Sequence, residues 1–320
     1  MRVALLGCGA IARRSHLPAL QAAGATLTAF WSRTAVSAEA ACLEAGTGQV
    51  VQDWRDVLVR DDVDAVVVCT PNSLHAPQAL AAVEAGKHVL VEKPFAVDVA
   101  AADAVLAAAS ASGVVVMTAH NARFSPSVVA ARHAVHQGDV GSVTAVRAVF
   151  CHAGPRAWAP EATWFLDPDL AGGGALLDLG VHLVDAVRFV LDDDFTSVAA
   201  TLAGGTPGVE EDGLLLFDTR KGVVGSLHAG WRAPAADFGL TFVGDRGRLV
   251  VTGSEALLHG PDGERALELA PSPLTVQSAF VEAVATGRAV PPDGHDGRSA
   301  VAVVEAAYLS AREARTVQVG

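Results

Sequence analysis

The feature of this sequence that most constrains its fold is a regular alternation of short apolar runs and helical segments over residues 1–119. Arg2–Leu6, Ala65–Cys69 and His88–Val91 are apolar runs of strand length, and each is followed by a segment with helical character. Alternation at this spacing is typical of βαβ units, which build a parallel sheet covered by helices on both faces. We therefore predict a doubly wound α/β domain over residues 1–119.

The pattern changes after residue 119, where one predicted helix, Pro126–Gln137, precedes a series of short strand-like runs. Thr219–Gly222 and Gly244–Gly247 have the composition of hairpin turns between such runs. With 320 residues, the chain is long enough for two domains of the usual size. Residues 120–320 are therefore predicted to form an α+β domain with a large, mostly antiparallel sheet.

Charge and hydropathy disfavour several classes of partner. The formal net charge is −12, from 35 acidic and 23 basic residues, and such a surface repels nucleic acid and anionic lipid. No apolar run approaches the roughly 18 residues that span a bilayer. We therefore expect neither a nucleic-acid partner nor a membrane partner.

The cysteines and the N-terminus bear on the cellular location. The cysteines lack the C-x-x-C and C-x-x-H spacings of redox and metal sites; they are Cys8, Cys42, Cys69 and Cys151. The N-terminus resembles a short signal peptide, but Gly7 and Gly9 interrupt its apolar stretch. The simpler expectation is a reducing cytoplasm.

A glycine-rich turn, Gly7-Cys8-Gly9-Ala10-Ile11-Ala12, follows the first predicted strand and fits the pattern G-x-G-x-x-A. In dinucleotide sites the first glycine permits a tight turn, the second lets the backbone approach a pyrophosphate, and helix N–H groups face the anion. The pattern also occurs in ordinary tight turns, but its position at the head of a βαβ series favours a Rossmann domain. The predicted cofactor-binding residues of this turn are Gly7, Gly9, Ala10 and Ile11.

The position that reads the adenosine ribose lies about 20 residues further on, at the end of the second strand. Here it holds Ser32 and Arg33 and no carboxylate. A carboxylate is typical of NAD sites, whereas a hydroxyl and a guanidinium suit a 2′-phosphate through charge-assisted hydrogen bonds. We therefore predict NADP as the preferred cofactor. The alternative is that Arg33 is a solvated loop residue and that NAD binds.

Two further strand ends carry polar residues. Thr70-Pro71-Asn72, with His75 one turn later, and Glu92-Lys93 both follow predicted parallel strands. Loops at the carboxyl ends of such strands line the crevice where ligands bind, so all these residues are predicted to bind the cofactor. The alternatives are a cap on the next helix and a surface ion pair. Lys93 is one of three lysines in the chain, and an ammonium can stabilise developing charge on a substrate oxygen.

The segment Gly172–Asp185 contains a carboxylate and an imidazole four residues apart, Asp178 and His182. On a helix these side chains share a face, and the carboxylate would orient the imidazole and favour its protonated form. His182 is therefore a candidate acceptor for the proton of an alcohol, and Gly172–Gly174 would let the backbone approach a ligand. The alternatives are a helical ion pair, a core histidine or two metal ligands. Because no third ligand is apparent nearby, no metal site is predicted.

Together these motifs resemble the Gfo/Idh/MocA oxidoreductase family over essentially the whole chain. The most specific matches are the run Ala85–Pro94, which reads AGKHVLVEKP, and the run Gly172–Asp185. Weaker matches continue through His16, Arg123–Pro126, Gly244–Leu249 and Asp296–Ala314.

The resemblance implies a nicotinamide cofactor and a sugar, cyclitol or related polyol as substrate. It also implies three catalytic positions, which are Lys93, Asp178 and His182. In the family pattern the histidine exchanges the hydroxyl proton while hydride passes to C4 of nicotinamide, and the lysine and aspartate support it. The family's Lys-Pro bond is commonly cis, so the same is expected at Pro94. Its open sheet often forms oligomer contacts, which implies a homo-oligomer, either a dimer or a tetramer.

Substrate-side candidates follow from side-chain chemistry, since indole faces suit sugar rings and guanidinium groups donate to hydroxyls. These candidates are Arg123, Arg156, Trp158 and Trp164, and their alternative is an ordinary core role. Two other functions stay open: a nicotinamide-dependent glycoside-cleaving enzyme without net redox change, and a non-catalytic dinucleotide-binding sensor. Product analysis distinguishes the first, and the presence of Lys93 and His182 disfavours the second.

Overall fold

A computed structural model describes residues 1–271, 274–288 and 290–320 of the chain. The chain divides into two compact units. The first comprises Met1–His120 with Leu274–Arg298, and the second comprises Asn121–Pro273 with Ser299–Gly320. Within the described ranges, no helix is both long enough and apolar enough to cross a membrane.

The first unit is built on a parallel six-stranded sheet. Its strands are β1 (Arg2–Leu6), β2 (Thr26–Trp31), β3 (Gln49–Val50), β4 (Ala65–Val68), β5 (His88–Val91) and β6 (Val116–Thr118). The helices between them are α1 (Leu17–Ala22), α2 (Ala35–Ala45), α3 (Trp54–Leu58), α4 (His75–Glu84) and α5 (Val99–Ser112). The order is β3-β2-β1-β4-β5-β6, with every neighbouring pair parallel. This is the Rossmann order, which reverses between β1 and β4 and binds ligands outside the carboxyl ends of the strands.

Local sequence explains these elements. All four residues of β4 are fully buried, as a central strand covered on both faces requires. Helix α5 begins after Asp98, whose carboxylate accepts a hydrogen bond from the amide of Ala101 at 2.7 Å. It ends at Gly113, which takes the left-handed conformation with φ of +70°. The predicted doubly wound domain is therefore confirmed.

The second unit is built on a nine-stranded sheet. Its strands are β7 (Val143–Cys151), β8 (Phe195–Ala203), β9 (Asp212–Thr219), β10 (Val224–Gly230), β11 (Asp237–Gly244), β12 (Arg248–Thr252), β13 (Ala256–Gly260), β14 (Gly263–Ala266) and β15 (Val317–Gln318). Its helices are α6 (Pro126–Gln137), α7 (Pro155–Trp158), α8 (Pro168–Ala171) and α9 (Val181–Leu191). Two helices follow the sheet in the chain: α10 (Val276–Thr286), which belongs to the first unit, and α11 (Gly294–Glu313), which begins in the first unit and continues into the second. The order is β14-β13-β12-β11-β7-β10-β9-β8-β15. Strands β7 and β10 are parallel, and the other described neighbours in this sheet are antiparallel. The predicted α+β class with a mostly antiparallel sheet is confirmed.

The segment Leu274–Arg298 departs from the predicted organisation, because it belongs to the first unit although it follows most of the second. Phe280 on α10 is fully buried, and the side-chain amide of Gln277 lies 3.3 Å from Nδ1 of His16. The amide of Thr118 donates to the carbonyl of Pro292 at 3.2 Å. The sequence patterns place all residues after 119 in one domain, because such patterns report only local periodicity. They do not reveal a contact such as that between Gln277 and His16, which are 261 residues apart.

Candidate active site

The turn after β1 gives its two glycines different surroundings. Gly7 has φ of +86°, and a Cβ there would lie 2.5 Å from the carbonyl oxygen of Cys69, just after β4. Only glycine fits, because the left-handed backbone and the close approach both exclude a side chain. A Cβ at Gly9 would meet no atom of the described residues within 4 Å. Gly7 therefore lets the turn pack on the end of β4, and Gly9 leaves open space beside the turn, where the binding of a pyrophosphate stays a prediction.

The helix after this turn starts at Ala10 and Ile11, and the Ile11 side chain is exposed. The chain then makes a single π-helical turn, Ala12–His16, and continues directly into α1. Single π turns inside helices are frequent at functional sites. Here the turn ends at His16, which is fully buried.

Ser32 and Arg33 follow β2. The hydroxyl oxygen of Ser32 accepts a hydrogen bond from the amide of Cys8 at 3.4 Å, which ties the end of β2 to the glycine turn. Arg33 is exposed and has no hydrogen-bond or ion-pair partner within the described ranges. Arg13 of the first helix, by contrast, pairs with Glu44. The Arg33 guanidinium is therefore available to an anion.

Glu92 is buried, and internal groups hold both of its carboxylate oxygens. Oε1 lies 2.6 Å from Nε2 of His16, and Oε2 accepts a hydrogen bond from the amide of Lys93 at 3.0 Å. Burial by itself raises the pKa of Glu92, but the hydrogen bond and charge of His16, with the charge of Lys93, outweigh it and lower the pKa. These contacts account for Glu92 within the protein, and its cofactor role stays a prediction.

His75 joins two of the predicted strand-end loops. Its Nδ1 lies 2.7 Å from the carbonyl oxygen of Pro94, and its Nε2 lies 2.8 Å from that of Thr70. Burial lowers the pKa of His75, and the two carbonyls oppose this only in part. The Thr70 hydroxyl donates to Oε1 of Gln78 at 2.8 Å, and the Lys93–Pro94 peptide is cis, as expected. The loops after β4 and β5 are therefore held together.

The remaining residues of these loops lie at the start of α4 and the end of β5. Pro71 precedes a short 3₁₀ turn, Asn72–Leu74, that leads into α4, and Asn72 is buried. Lys93 is half-buried at the carboxyl end of β5. Pro71 and Asn72 thus form the entry to α4, as a helix cap would. This position is also compatible with cofactor binding, because the two roles do not exclude each other. Their contact with a cofactor stays a prediction.

In the second unit, Asp178 and His182 lie on one continuous helical segment. Leu176–Gly180 forms a single π turn that runs directly into α9. Asp178 is buried, whereas His182 is half-buried, and its ring meets Phe150 edge-on with centroids 5.9 Å apart. Oδ2 of Asp178 accepts a hydrogen bond from the indole Nε1 of Trp231 at 3.1 Å. None of the motifs in the sequence includes Trp231, so only the structure reveals its contact with Asp178.

The glycines before this helical segment serve internal packing. A Cβ at Gly174 would lie 1.9 Å from the backbone oxygen of Glu210, and a Cβ at Gly173 would lie 2.3 Å from the hydroxyl of Tyr308. The Glu210 carboxylate accepts hydrogen bonds from the amides of Gly174 at 3.0 Å and Leu176 at 2.8 Å. It therefore caps the helix N-terminus. These two glycines therefore let groups of the protein itself come close to the backbone, and the approach of a ligand to Gly172–Gly174 stays a prediction.

The two arginines predicted on the substrate side have different surroundings. Arg123 is buried in a bidentate ion pair with Asp185, with N–O distances of 2.6 to 3.0 Å, and its guanidinium lies over Phe189. This pair accounts for Arg123 without a substrate, and its substrate role stays a prediction. Arg156 is exposed on α7.

The two predicted tryptophans belong to an aromatic cluster, which consists of Trp158, Trp164, Phe165 and Trp231. Trp158 is 39% exposed and meets Phe165 edge-on at 5.5 Å. Trp164 is half-buried and stacks on Phe165 at 3.8 Å. Phe165 in turn meets Trp231 edge-on at 6.4 Å. The structure thus connects the predicted substrate-side indoles with the residue that binds Asp178.

Potential metal ligands are dispersed. In the part of the chain that the structure describes, no group of three or more His, Cys, Asp or Glu side chains is arranged to hold a metal ion. The four cysteines are free thiols. Burial raises the pKa of Cys8 to about 12, so this thiol of the glycine turn stays protonated at neutral pH.

Known proteins match the chain along most of its length. Residues 1–120 match the GFO_IDH_MocA model, described as an oxidoreductase family with an NAD-binding Rossmann fold, and residues 128–250 match the GFO/IDH/MocA C-terminal domain. The 1,5-anhydro-D-fructose reductase of Ensifer adhaerens is 34% identical over 96% of this chain and 96% of its own length. The D-xylose 1-dehydrogenase (NADP(+)) 2 of Haloferax volcanii is 29% identical over 99% of both chains. A solved levoglucosan dehydrogenase in complex with NADH and levoglucosan has a TM-score of 0.91 at 25% identity, covering 100% of this chain and 99% of its own.

Fold, motifs and similarities together define an NAD(P)-dependent oxidoreductase that transfers hydride between a nicotinamide and a CH–OH or carbonyl group of a sugar-like molecule. The chain belongs to the Gfo/Idh/MocA oxidoreductase family, with its NAD-binding Rossmann fold. The family resemblance, the enzyme class and the fold class predicted from the sequence are confirmed.

Proposed function

We propose that this enzyme is an NADP-preferring dehydrogenase or reductase that acts on a secondary alcohol or carbonyl of a sugar, cyclitol or related polyol. The observation that carries the proposal is the position of Lys93 at the carboxyl end of β5. The glycine turn follows β1 at the same edge of the parallel sheet, which is the edge where a Rossmann domain binds its dinucleotide. A half-buried ammonium at this edge can donate to the oxygen of the reacting carbon.

The proposed roles divide binding from chemistry. When bound, the nicotinamide accepts or donates hydride at C4. Gly9 and the helix N–H groups after it hold the pyrophosphate, and Lys93 donates a hydrogen bond to the reacting oxygen. His182 takes the hydroxyl proton during oxidation and returns it during reduction. Asp178 orients His182 and stabilises its protonated form.

The NADP preference rests on the surroundings of Arg33. Ser32 is fixed by the amide of Cys8 at 3.4 Å, and Arg33 presents an unpaired guanidinium within the described ranges. The oxygens of a 2′-phosphate can accept charge-assisted hydrogen bonds from the Arg33 guanidinium. A 2′-hydroxyl is uncharged and cannot form such bonds. The names of the relatives include an NADP(+) enzyme and a protein solved with NADH, so both choices occur among similar proteins.

The substrate class rests on the relatives and on the aromatic cluster. The relatives named above act on anhydrofructose, xylose and levoglucosan by their names, and all three are sugars or sugar derivatives. The exposed ring of Trp158 offers a face on which a sugar ring packs, and the exposed guanidinium of Arg156 on the same helix can donate to its hydroxyls. A net charge of −12 suits a small neutral substrate better than nucleic acid.

We also propose that the enzyme is a homo-oligomer, a dimer or a tetramer, in the cytoplasm. On β9 the side chains alternate, and Leu214 and Leu216 are 45% and 60% exposed on one face of the nine-stranded sheet. Val224 on the adjacent strand is 52% exposed, and exposed apolar residues on neighbouring strands are typical of an assembly surface. Free thiols suit a reducing compartment.

Substitution K93M tests this function. With NADPH or NADP as cofactor and the best substrate of an aldose and polyol panel, the kcat should fall by about 10²- to 10⁴-fold, as for loss of a group that acts on the reacting oxygen. NADPH binding, followed by fluorescence, should weaken far less than kcat falls, because Lys93 is one of several residues predicted to bind the cofactor. H182A should cause a comparable loss of kcat.

The matched control is K221M, which removes the lysine whose ammonium donates to the carbonyls of Leu191 and Asp192, and it should leave kcat unchanged. Full turnover by K93M would reject the assignment of Lys93. Release of an aglycone from a glycoside without any accumulation of NADPH would reject a net redox reaction.

A further inference from the structure

The carboxylate of Asp178 has a hydrogen-bond donor that the proposed mechanism does not use. The indole Nε1 of Trp231 donates to its Oδ2 at 3.1 Å, and both side chains are buried. A buried hydrogen bond to a carboxylate is stronger than one in water, and it restrains the oxygen that accepts it. Trp231 therefore limits the orientations that the Asp178 carboxylate can take.

The indole of Trp231 is itself held from several sides. Its backbone amide donates to the carbonyl of Glu211 at 2.7 Å. A Cβ at Gly154 would lie 3.4 Å from the Cβ of Trp231, so the backbone of that loop packs directly against the side chain. Phe165 meets the indole edge-on, with an angle of 88° between the rings. A donor fixed in this way can orient its acceptor without first losing its own rotamer freedom.

The helical segment that carries Asp178 lies against the strand that leads to Trp231. Asp178 lies in the middle of the π turn Leu176–Gly180, where the regular α-helical spacing is interrupted. This turn packs on β10, since a Cβ at Gly180 would lie 3.9 Å from the Cβ of Ala229. Trp231 immediately follows β10, so the strand that supports the π turn also delivers the indole to Asp178.

We propose that Trp231 is a positioning residue for the reaction. Its indole N–H holds the Asp178 carboxylate in the orientation that supports His182 as the proton acceptor. This inference rests on the proposed function, because it assigns Trp231 a role that acts through Asp178.

Substitution W231F tests the inference, since phenylalanine keeps an aromatic ring and removes the N–H donor. The kcat should fall by about 10- to 100-fold, which corresponds to the loss of one hydrogen bond to a charged group. The KM for NADPH should stay unchanged. The control W54F makes the same substitution on α3 of the first unit and should leave kcat at the value of the unmodified enzyme.

A double-mutant cycle separates positioning from a merely structural role. Single-turnover rates are measured for the unmodified enzyme, W231F, D178N and the D178N/W231F double variant. If Trp231 acts through Asp178, W231F should cause no further loss in the D178N background. An equal loss in both backgrounds would overturn the inference.

Two further outcomes are informative. If D178N keeps the full rate, the proposed role of Asp178 fails; if D178N is slow but W231F is not, only the inference about Trp231 fails. Thermal unfolding and NADPH binding report whether W231F folds. If W231F does not fold, W231H and W231L are compared instead. The histidine ring keeps an N–H donor, so W231H should have a higher kcat than W231L.

Discussion

Arg33 is the residue on which the cofactor choice depends most directly. It is exposed at the end of β2, and Ser32 beside it is tied to the glycine turn. Of the two arginines on the helix after this turn, Arg13 is paired with Glu44 and so is partly neutralised, and Arg14 is exposed. A 2′-phosphate bound at the end of β2 would receive charge compensation from Arg33, which directly follows Ser32.

We expect R33A to weaken NADPH binding and to leave NADH binding unchanged. A charge-assisted hydrogen bond is worth about 1.5–3 kcal/mol, so the Kd for NADPH should rise by roughly 10- to 100-fold. Fluorescence titration with each nucleotide measures both constants. R312A, at an exposed position of α11, is the matched control and should change neither constant. Tighter binding of NADH than of NADPH by the unmodified enzyme would reject the interpretation of Ser32 and Arg33.

Residues with local motifs are predictable from the sequence, and residues with distant partners are not. The glycine pattern predicts the turn at Gly7, but the reason that Gly7 tolerates no side chain is the carbonyl of Cys69 in another loop. Trp231 and Asp178 are 53 residues apart, and no spacing rule connects them. The sequence therefore indicates which groups carry chemistry, and the fold determines which groups orient them.

At the scale of elements, the helical segment that carries Asp178 and His182 is anchored by one buried carboxylate. Glu210 lies between β8 and β9, and its oxygens accept hydrogen bonds from Gly174, Leu176 and the hydroxyl of Tyr308. Burial raises the pKa of Glu210, and these hydrogen bonds offset the increase only in part. The cap therefore holds its proton more tightly in the folded chain than in the unfolded chain.

This cap predicts an unusual pH dependence of stability. Because the folded pKa of Glu210 is above its ordinary value of 4.5, its contribution to the free energy of unfolding is fully present below pH 4.5 and is lost as the pH rises through the folded pKa. In E210Q this dependence should disappear. Urea unfolding of both proteins over a pH series measures the difference in the free energy of unfolding.

The stability of the unmodified protein relative to E210Q should decrease as the pH rises through this window. E305Q, at an exposed position of α11, controls for the loss of one carboxylate and should follow the unmodified protein in parallel. A relative stability that instead increases with pH would contradict the raised pKa.

Element prediction succeeded where a pattern extends over several residues. The bounds predicted for β5 and α6 agree with the structure. Short or weakly patterned elements have no such signal: β14 is exposed at all four positions, and β15 has two residues and exists only through its pairing with β8. The helix α10 also lies outside the predicted helices, although its Thr275 and Ser278 form a capping box.

At the scale of the whole molecule, the chain leaves the first unit after residue 120 and returns to it at Leu274–Arg298. The returning segment contributes to the core of that unit: Val276 and Phe280 are fully buried. A Cβ at Gly297 would lie 2.7 Å from the Cβ of Phe95, so the segment also packs closely on the loop after β5. We therefore propose that the dinucleotide-binding unit requires both parts of the chain, and that a boundary near residue 119 would omit part of its core.

Substitution F280A tests this organisation. Truncating a buried phenylalanine costs about 3–5 kcal/mol, and the loss should fall on the unit to which the side chain belongs. Hydrogen exchange should accelerate in β1, β4 and β5 and stay unchanged in the nine-stranded sheet. F217A is the reciprocal variant, because Phe217 is buried in the second unit with its ring 4.4 Å from that of Phe195, and it should accelerate exchange in β8 and β9 instead. Acceleration in β8 and β9 by F280A, with β1 and β4 unchanged, would contradict the assignment of Leu274–Arg298 to the first unit.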